Sequence, residues 1–307
     1  MSLAVVFPGQ GSHRPGALRA WADHPATGVL AEVEAGLGRD VRALAEDPTA
    51  GGRTADAQPA ILAASLVAWQ ALSDAGVQAD VVAGHSLGEY TAAIASGALD
   101  VEAGARVVAA RGRAMGEACQ ATPGTMAAIV KLNPQAVEVL VDRIDDLVIA
   151  NDNAPGQVVV AGSVAAVAEL RELARDAGGR ALPLDVEGAF HSPAMAPAVT
   201  VVRDALAAAG PQDPRIPVVA GATAAETTRA AQLTAALVDG ILAPVRWREV
   251  QLRLVELGVT TLVEVGPGGV LAGLAKRTIP QVTVRTVATP EDLDEVVAAL
   301  AVATAAG

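Results

Sequence analysis

The chain of 307 residues is long enough for one large core, or for a core with a smaller inserted unit, and its 52% hydrophobic and 18% charged residues exclude an intrinsically disordered protein. The formal net charge of −12, with no basic stripe along the sequence, disfavours nucleic acid and anionic membranes as partners. The single cysteine, Cys119, excludes an internal disulfide framework and indicates a reducing compartment.

Strand-like and helix-like segments alternate along the chain. Short runs with β-branched residues predict strands at Leu3–Phe7, Val81–Ala83, Thr125–Val130, Leu147–Ala150, Val158–Ala161, Arg180–Leu184, Val218–Gly221 and Thr261–Val265. Longer stretches rich in Ala, Leu, Glu and Arg predict helices at Ala60–Ala75, Asp100–Cys119, Val164–Ala177 and Pro193–Ala209. Because alternating strands and helices of these lengths build parallel sheets, the sequence predicts an α/β fold.

The segment from Thr125 to about Val186 has a different order of elements. A strand, a helix at Pro134–Ile144, two strands, a helix and a strand are predicted, with a turn signal at residues 151–156 between the middle strands. A βαββαβ order is that of ferredoxin-like units. We therefore predict that residues 125–187 form a small ferredoxin-like subdomain, inserted into a larger one made of residues 1–124 and 188–307.

Residues 84–88 read Gly-His-Ser-Leu-Gly, the pattern G-x-S-x-G, between a predicted strand and an Ala-rich helix that ends near Gly97. A strained strand-to-helix turn exposes the serine hydroxyl, and the glycines on both sides make room for it. The turn also places backbone N–H groups at a helix N-terminus, where developing negative charge is stabilised. The pattern predicts that Ser86 is a nucleophile that becomes acylated.

Ser86 requires a base, because a neutral hydroxyl is a poor nucleophile. The chain has four histidines. His191 lies in a loop after a predicted strand and before a helix, where the site residues of such folds gather, and it is the predicted base. His85 lies in the turn itself and is predicted to shape it, and His24 is predicted at the surface. For His13, contact with substrate and exposure to solvent both remain open.

Seven short motifs occur in order along the chain, from residue 5 to about residue 277: Pro8–Ser12, Gly84–Tyr90, Arg111-Gly112 with Met115, Asn153–Val159, Gly188–Ser192, Pro244–Trp247 and Glu264–Gly268. Together they resemble the malonyl-CoA:acyl carrier protein transacylases of fatty acid synthesis and the related acyltransferases of polyketide synthesis. The expected fold class is therefore α/β, with an α/β-hydrolase-like large subdomain built on a parallel sheet and the inserted ferredoxin-like small subdomain.

The resemblance implies a ping-pong reaction and a role for each matching residue. Ser86 would take malonyl from coenzyme A as an ester and pass it to the phosphopantetheine thiol of an acyl carrier protein. His191 would act as base and then as acid, oriented by a backbone carbonyl that the motif assigns to Arg246. The backbone N–H groups of Gln10 and Leu87 would stabilise the oxyanion.

Substrate choice is assigned to two further positions. On its residue type alone, Arg111 is as well explained by a solvated helix surface; the resemblance makes it the clamp for the malonyl carboxylate. Phe190 matches the malonyl-selective version of its motif. Ala243, Asp152 and His13 depart from the commoner residues of the family, which bears on fine specificity more than on the chemistry.

The leading interpretation is thus an [acyl-carrier-protein] S-malonyltransferase with malonyl-CoA and a phosphopantetheinylated carrier protein as partners. Coenzyme A is part of the substrate, and no other cofactor is expected. Arg246 with Arg248 and Lys276 with Arg277 are candidates for a basic patch that meets an acidic carrier protein.

Other interpretations stay open. The alternative activity is a discrete acyltransferase or editing acyl hydrolase of a specialised polyketide pathway with a different acyl substrate. A non-catalytic scaffold is disfavoured, because nucleophile, base and clamp are all present, and scattered histidines with one cysteine predict no metal site. No secretory signal or membrane span is recognised, so a soluble cytoplasmic protein is expected.

Overall fold

The computed structural model describes residues 2–305. Its strands are β1 (Leu3–Phe7), β2 (Val81–Gly84), β3 (Thr125–Val130), β4 (Leu147–Ala154), β5 (Gln157–Gly162), β6 (Arg180–Pro183), β7 (Val218–Val219), β8 (Glu226–Thr227), β9 (Thr261–Val265) and β10 (Thr283–Val287). Its α-helices are α1 (Leu30–Leu37), α2 (Val41–Glu46), α3 (Thr54–Asp74), α4 (Gly88–Ala95), α5 (Val101–Ala121), α6 (Pro134–Val141), α7 (Val164–Asp176), α8 (Ala196–Ala209), α9 (Ala230–Asp239), α10 (Trp247–Glu256), α11 (Val270–Thr278) and α12 (Pro290–Ala305).

The larger sheet has the strand order β10-β9-β1-β2-β7-β8, and all its pairs are parallel except β7 with β8. The side chains of β1 alternate between two apolar cores, Leu3, Val5 and Phe7 on one face and Ala4 and Val6 on the other. A strand buried on both faces reads as a continuous apolar run, which explains the sequence of β1.

The smaller sheet has the order β4-β5-β3-β6, and every pair is antiparallel. Helices α6 and α7 contribute to a separate apolar core with these strands. This is the predicted ferredoxin-like order, so the α/β fold class with an inserted antiparallel unit is confirmed. Among the described helices, none is long and apolar enough to cross a membrane.

The register of the larger sheet decides where the site lies. Phe7 at the end of β1 pairs with Gly84 at the end of β2, and the His85 amide donates to the Phe7 carbonyl at 3.0 Å. The two loops that follow these strands therefore leave the sheet side by side. In open α/β sheets, ligands bind at this carboxyl edge of the strands.

Helix α3 differs from its prediction. It begins at Thr54 rather than Ala60 and includes Pro59. A proline normally ends a helix pattern, but here the first turn is fixed from outside, because the Glu187 carboxylate accepts a hydrogen bond from the Thr54 amide at 2.7 Å. Local sequence rules could not show this contact.

Candidate active site

Ser86 lies in the sharp turn between β2 and α4, with a left-handed φ of 54°. A Cβ on Gly84 would lie 1.9 Å from the Gly88 carbonyl carbon, and a Cβ on Gly88 would lie 2.0 Å from the Phe7 oxygen. Only glycine fits at either position, so the G-x-S-x-G pattern has a steric cause here.

The predicted base lies next to the predicted nucleophile. Ser86 Oγ is 2.9 Å from Nε2 of His191, whose side chain is buried. Nδ1 of His191 lies 2.8 Å from the Gly240 carbonyl oxygen and 3.1 Å from that of Ala243. Because carbonyls only accept, the Nδ1 proton points to them and Nε2 is left to accept the serine proton.

The prediction that the Arg246 carbonyl orients His191 is wrong. That carbonyl accepts the Val250 amide at 2.9 Å in the first turn of α10. The Arg246 side chain instead pairs with Glu249. The orienting carbonyls come from Gly240 and Ala243, in the loop before this helix.

Arg111 is a buried cation, with 2% of its surface exposed. It donates from Nη2 to Ser86 Oγ at 3.0 Å, and its guanidinium carbon lies 5.0 Å from the centre of the Tyr90 ring. Its Nε has no hydrogen-bond partner, and no carboxylate of the described residues forms an ion pair with it. A buried charge without an ion pair is costly, so the site is complementary to an anion beside the nucleophile.

The amides of Gln10 and Leu87 border the same cavity as Ser86. Within the described residues, neither N–H donates a hydrogen bond, so both are free for a ligand oxygen. The loop of Gln10 packs closely against the turn that contains Ser86. A Cβ on Gly9 would lie only 2.6 Å from the His85 carbonyl oxygen, so this close approach requires glycine. Gln10 is also fixed by its side chain, which donates to Thr54 Oγ1 at 3.3 Å.

The cavity has a volume of about 430 Å³ and lies between the two sheets. The large subdomain contributes Ser86, Arg111 and His191, and the segment 126–159 of the small subdomain forms the opposite wall with Met126, Asn151, Gln157 and Val159. Phe190 is buried beside His191 and borders the cavity.

Gln58 is a cavity residue that the sequence analysis missed. It is buried, its Nε2 contacts Met115 Sδ at 3.7 Å, and its Oε1 has no partner. The available signal was a glutamine directly before the long apolar run of helix α3, because a buried polar group needs a hydrogen-bond partner.

The histidine pKa values reflect burial and the Arg111 charge. The pKa of His191 is lowered to about 3, first by burial and then by the charges of Arg111 and His85, and the carbonyls of Gly240 and Ala243 oppose the change. The imidazole is therefore neutral near pH 7 and able to accept a proton. An anion bound to Arg111 would offset the Arg111 charge, which would raise the pKa of His191 and make it a stronger base.

The other histidines have structural contacts. His85 Nε2 lies 2.9 Å from Asn153 Oδ1, its ring meets the Trp247 ring edge-on, and burial lowers its pKa. His24 is half-buried rather than at the surface, and its Nδ1 accepts the Ala26 amide at 3.2 Å. His13 is also half-buried and does not border the cavity.

Cys119 and the cations of the predicted docking patch do not border the cavity. Cys119 is buried, and burial raises the pKa of its thiol to about 12. Of the four cations predicted to form a docking patch, two are paired, Arg246 with Glu249 and Arg248 with Asp152. In the described range 2–305, no group of three or more His, Cys, Asp or Glu residues could hold a metal ion.

Known proteins are similar over nearly the whole chain. Residues 6–304 match the acyl transferase domain family. The malonyl CoA-acyl carrier protein transacylase of Bacillus subtilis (strain 168) is 35% identical over 304 residues, covering 95% of each chain. The crystal structure of acyl-carrier-protein S-malonyltransferase from Burkholderia pseudomallei 1710b has a TM-score of 0.92 at 38% identity, covering 97% of this chain and 99% of that chain. A type II PKS acyl-carrier protein in complex with its malonyl-transacylase gives a TM-score of 0.92 at 34% identity, with coverage of 97% and 99%.

Proposed function

This chain belongs to the acyl transferase domain family, and we propose that it moves a malonyl group from coenzyme A to the phosphopantetheine thiol of an acyl carrier protein. The observation that carries the proposal is the buried Arg111, which forms no ion pair with any residue of the range 2–305 and whose Nη2 lies 3.0 Å from Ser86 Oγ. A diacid such as malonyl supplies the missing carboxylate, and the guanidinium can hold it with two charge-assisted hydrogen bonds.

The first half-reaction forms the acyl-enzyme. His191 Nε2 takes the Ser86 hydroxyl proton as Oγ attacks the thioester carbonyl. The oxyanion accepts hydrogen bonds from the free amides of Gln10 and Leu87. The intermediate collapses by breaking the carbon–sulfur bond, and His191 returns the proton to the leaving thiolate, giving coenzyme A and malonyl-Ser86.

The second half-reaction reverses these roles. The carrier protein's thiol gives its proton to His191 and attacks the serine ester, and the oxyanion is stabilised by the same amides. Breaking the bond between the acyl carbon and Oγ returns the proton to Ser86 and leaves malonyl on the carrier protein. The product supplies extender units for fatty acid or polyketide synthesis.

The carrier protein is expected to approach near Lys276 and Arg277, on α11, whose residues Val270, Leu271 and Leu274 border the cavity. Arg277 donates to the Pro155 carbonyl at 2.7 Å and to Gln157 Oε1 at 2.6 Å, both neutral groups, so its charge remains available. Lys276 is exposed and forms no ion pair with a described residue. Unchanged carrier-protein kinetics after neutralising both would place the docking surface elsewhere.

An editing acyl hydrolase of a specialised pathway is the second candidate. Its acyl-enzyme would be resolved by water, and a clamp for a free carboxylate offers nothing to an ordinary acyl chain. Measuring the turnover of malonyl-Ser86 with and without a pantetheine thiol separates the two activities, and the transferase requires the thiol.

The direct test is the mass of the protein after mixing with malonyl-CoA. We expect the wild type to gain one malonyl group, Ser86→Ala to gain none, and Ser96→Ala to behave as the wild type, because the Ser96 hydroxyl, just past the end of α4, donates to the Ala93 carbonyl of that helix and does not border the cavity. Malonylation of Ser86→Ala would refute the assignment.

A further inference from the structure

Glu89 is a buried carboxylate that the reaction above does not use. It lies in the first turn of α4, three residues after Ser86, and is 4% exposed. Within the described residues it forms no ion pair, and burial raises its pKa to about 7, opposed by the Gly221 amide and the Arg111 charge. A carboxylate buried at such a cost calls for a reason.

The Glu89 carboxylate lies between two backbone segments. Its Oε2 accepts the Gly221 amide at 2.7 Å. A Cβ on Gly221 would lie 2.7 Å from Oε1, and a Cβ on Gly240 would lie 3.7 Å from the same oxygen. The carboxylate therefore packs directly against the Gly221 backbone, where a Cβ would clash, and lies within ordinary contact distance of a Cβ at Gly240.

These two segments hold the loop 240–246 at its ends. Gly240 is the first residue of the loop, and its carbonyl accepts the His191 Nδ1 proton at 2.8 Å. At the other end, the Arg246 amide donates to the Gly221 carbonyl at 2.9 Å. Ala243, whose carbonyl is the second acceptor for His191, lies between these anchors.

We propose that Glu89 is a positioning residue, whose carboxylate fixes the loop 240–246 so that its carbonyls hold the His191 ring against Ser86. Because Glu89 is on the helix that begins at the nucleophile turn, it ties the nucleophile and the base to one rigid element. The contacts do not depend on the substrate, but the effect on malonyl transfer rests on the proposed function.

The role is that of a hydrogen-bond acceptor of fixed length, which a variant pair can isolate. Glu89→Gln keeps the side-chain length and an oxygen for the Gly221 amide, whereas Glu89→Ala removes both. As a matched control, Asp292→Ala removes a carboxylate that accepts the Ala288 and Thr289 amides at 2.9 and 3.1 Å, away from the cavity.

The experiment measures single-turnover malonylation of Ser86, the KM for malonyl-CoA and the melting temperature of each variant. Glu89→Ala should lose about 100-fold in rate, since a displaced base loses its alignment, while KM changes little because Arg111 is untouched. Glu89→Gln should restore most of the rate. Asp292→Ala should lower the melting temperature without slowing malonylation.

Two results would overturn the proposal: a wild-type rate for Glu89→Ala, or a Glu89→Gln variant as slow as Glu89→Ala. If Glu89→Ala does not fold, Gly221→Ala serves instead, because its methyl group displaces the carboxylate and should slow malonylation with little change in KM. A wild-type rate for Gly221→Ala then contradicts the proposal.

A phenylmethylsulfonyl fluoride arm separates this proposal from the proposed function. The reagent sulfonylates an activated serine, with fluoride as the leaving group, and it does not need Arg111, so its rate reports the Ser86–His191 pair alone. If the wild type is sulfonylated but not malonylated, the proposed function fails. The positioning role is then tested by sulfonylation alone: a slower rate for Glu89→Ala supports it, and an unchanged rate contradicts it.

Discussion

The two reacting residues share an unusual backbone conformation. Ser86 has φ 54° and His191 has φ 55°, both in the left-handed region that side chains rarely adopt. Such conformations persist only when the surroundings enforce them, and here the glycines of the turn and the carbonyls that hold His191 do so. The strain places both side chains at the carboxyl edge of the sheet.

Because the backbone at Ser86 is strained, a glycine variant should be more stable than an alanine variant, the opposite of the order found at ordinary helical positions. Ser86→Gly should be more stable than Ser86→Ala by about 1 kcal/mol, because both lack the hydroxyl but only glycine adopts a positive φ freely. In a right-handed helical position the order would be the reverse. Denaturant unfolding of the two variants measures the difference. A less stable Ser86→Gly would show that the turn is unstrained.

Arg111 should determine the preference for a diacid. Arg111→Ala should lose about 100-fold or more in kcat/KM for malonyl-CoA, because two charge-assisted hydrogen bonds to the carboxylate disappear, while acetyl transfer should not fall. Arg111→Lys, which keeps the charge but not the planar fork, should lie between these values. Competition between the two thioesters gives the ratio.

Arg113→Ala is the control for that prediction, since Arg113 is exposed on the same helix. It should leave the ratio of malonyl to acetyl transfer unchanged. An Arg111→Ala variant that still prefers malonyl would show that the clamp lies on another residue.

At the level of elements, local patterns were sufficient where the chain itself dictates the structure. The strand β1, the turn at Ser86 and the βαββαβ order of the small sheet follow from apolar runs, glycines and turn residues that are close in sequence. Contacts between distant segments could not be predicted in this way. The Glu187 contact that starts α3 at Thr54 spans 133 residues, and the carbonyls that orient His191 belong to Gly240 and Ala243, which precede the Pro244–Trp247 motif rather than lie in it.

Asp152, one of the departures from the family pattern, has a structural partner at the junction of the subdomains. It lies on β4 and accepts hydrogen bonds from Arg248 of α10 at 2.7 to 3.1 Å, beside the backbone bond from its own amide to the Val245 carbonyl. The side chains of Asp152 and Arg248 are 16% and 28% exposed, so solvent screens the pair only in part.

A double-mutant cycle on Asp152→Ala and Arg248→Ala should give a coupling energy of about 1 kcal/mol in unfolding free energy, because the contact is bidentate and partly buried. Arg253 with Glu256, a more exposed pair on the same helix, should give a smaller value in the same cycle. Equal coupling for both pairs would mean that Asp152 contributes nothing special to the junction.

Over the whole molecule, the site exists because two sheets meet. Ser86 follows β2 of the large sheet, Arg111 lies on α5 and His191 precedes α8, and residues of the small sheet close the cavity from the opposite side. Buried ionisable groups such as Arg111 and His191 line the cavity, and Glu264 is buried in the large sheet. The stability of the fold therefore depends on pH through groups whose pKa values burial has moved.

Glu264 on β9 provides the clearest test of that dependence. It is fully buried, its Oε2 accepts the Ala272 amide at 2.7 Å in the first turn of α11, and its Oε1 has no partner. Burial raises the pKa of Glu264 from 4.5 to about 6, against the opposing α11 amides. Because the folded state holds this proton more tightly than the unfolded state, the contribution of Glu264 to stability is complete below about pH 4.5 and is lost as the pH rises to about 6.

Glu264→Gln cannot titrate, so its unfolding free energy relative to the wild type should rise by about 2 kcal/mol between pH 4 and pH 8. Denaturant unfolding across this range measures the difference in unfolding free energy between variant and wild type. Because the other titrating groups are the same in both proteins, their contributions cancel in this difference. The same series on Glu89→Gln should rise further and level off near pH 7, because the pKa of Glu89 is raised to about 7. A difference that stays flat for both variants would mean that neither carboxyl is held in its neutral form by burial, and the electrostatic description of the region around Arg111 would have to change with it.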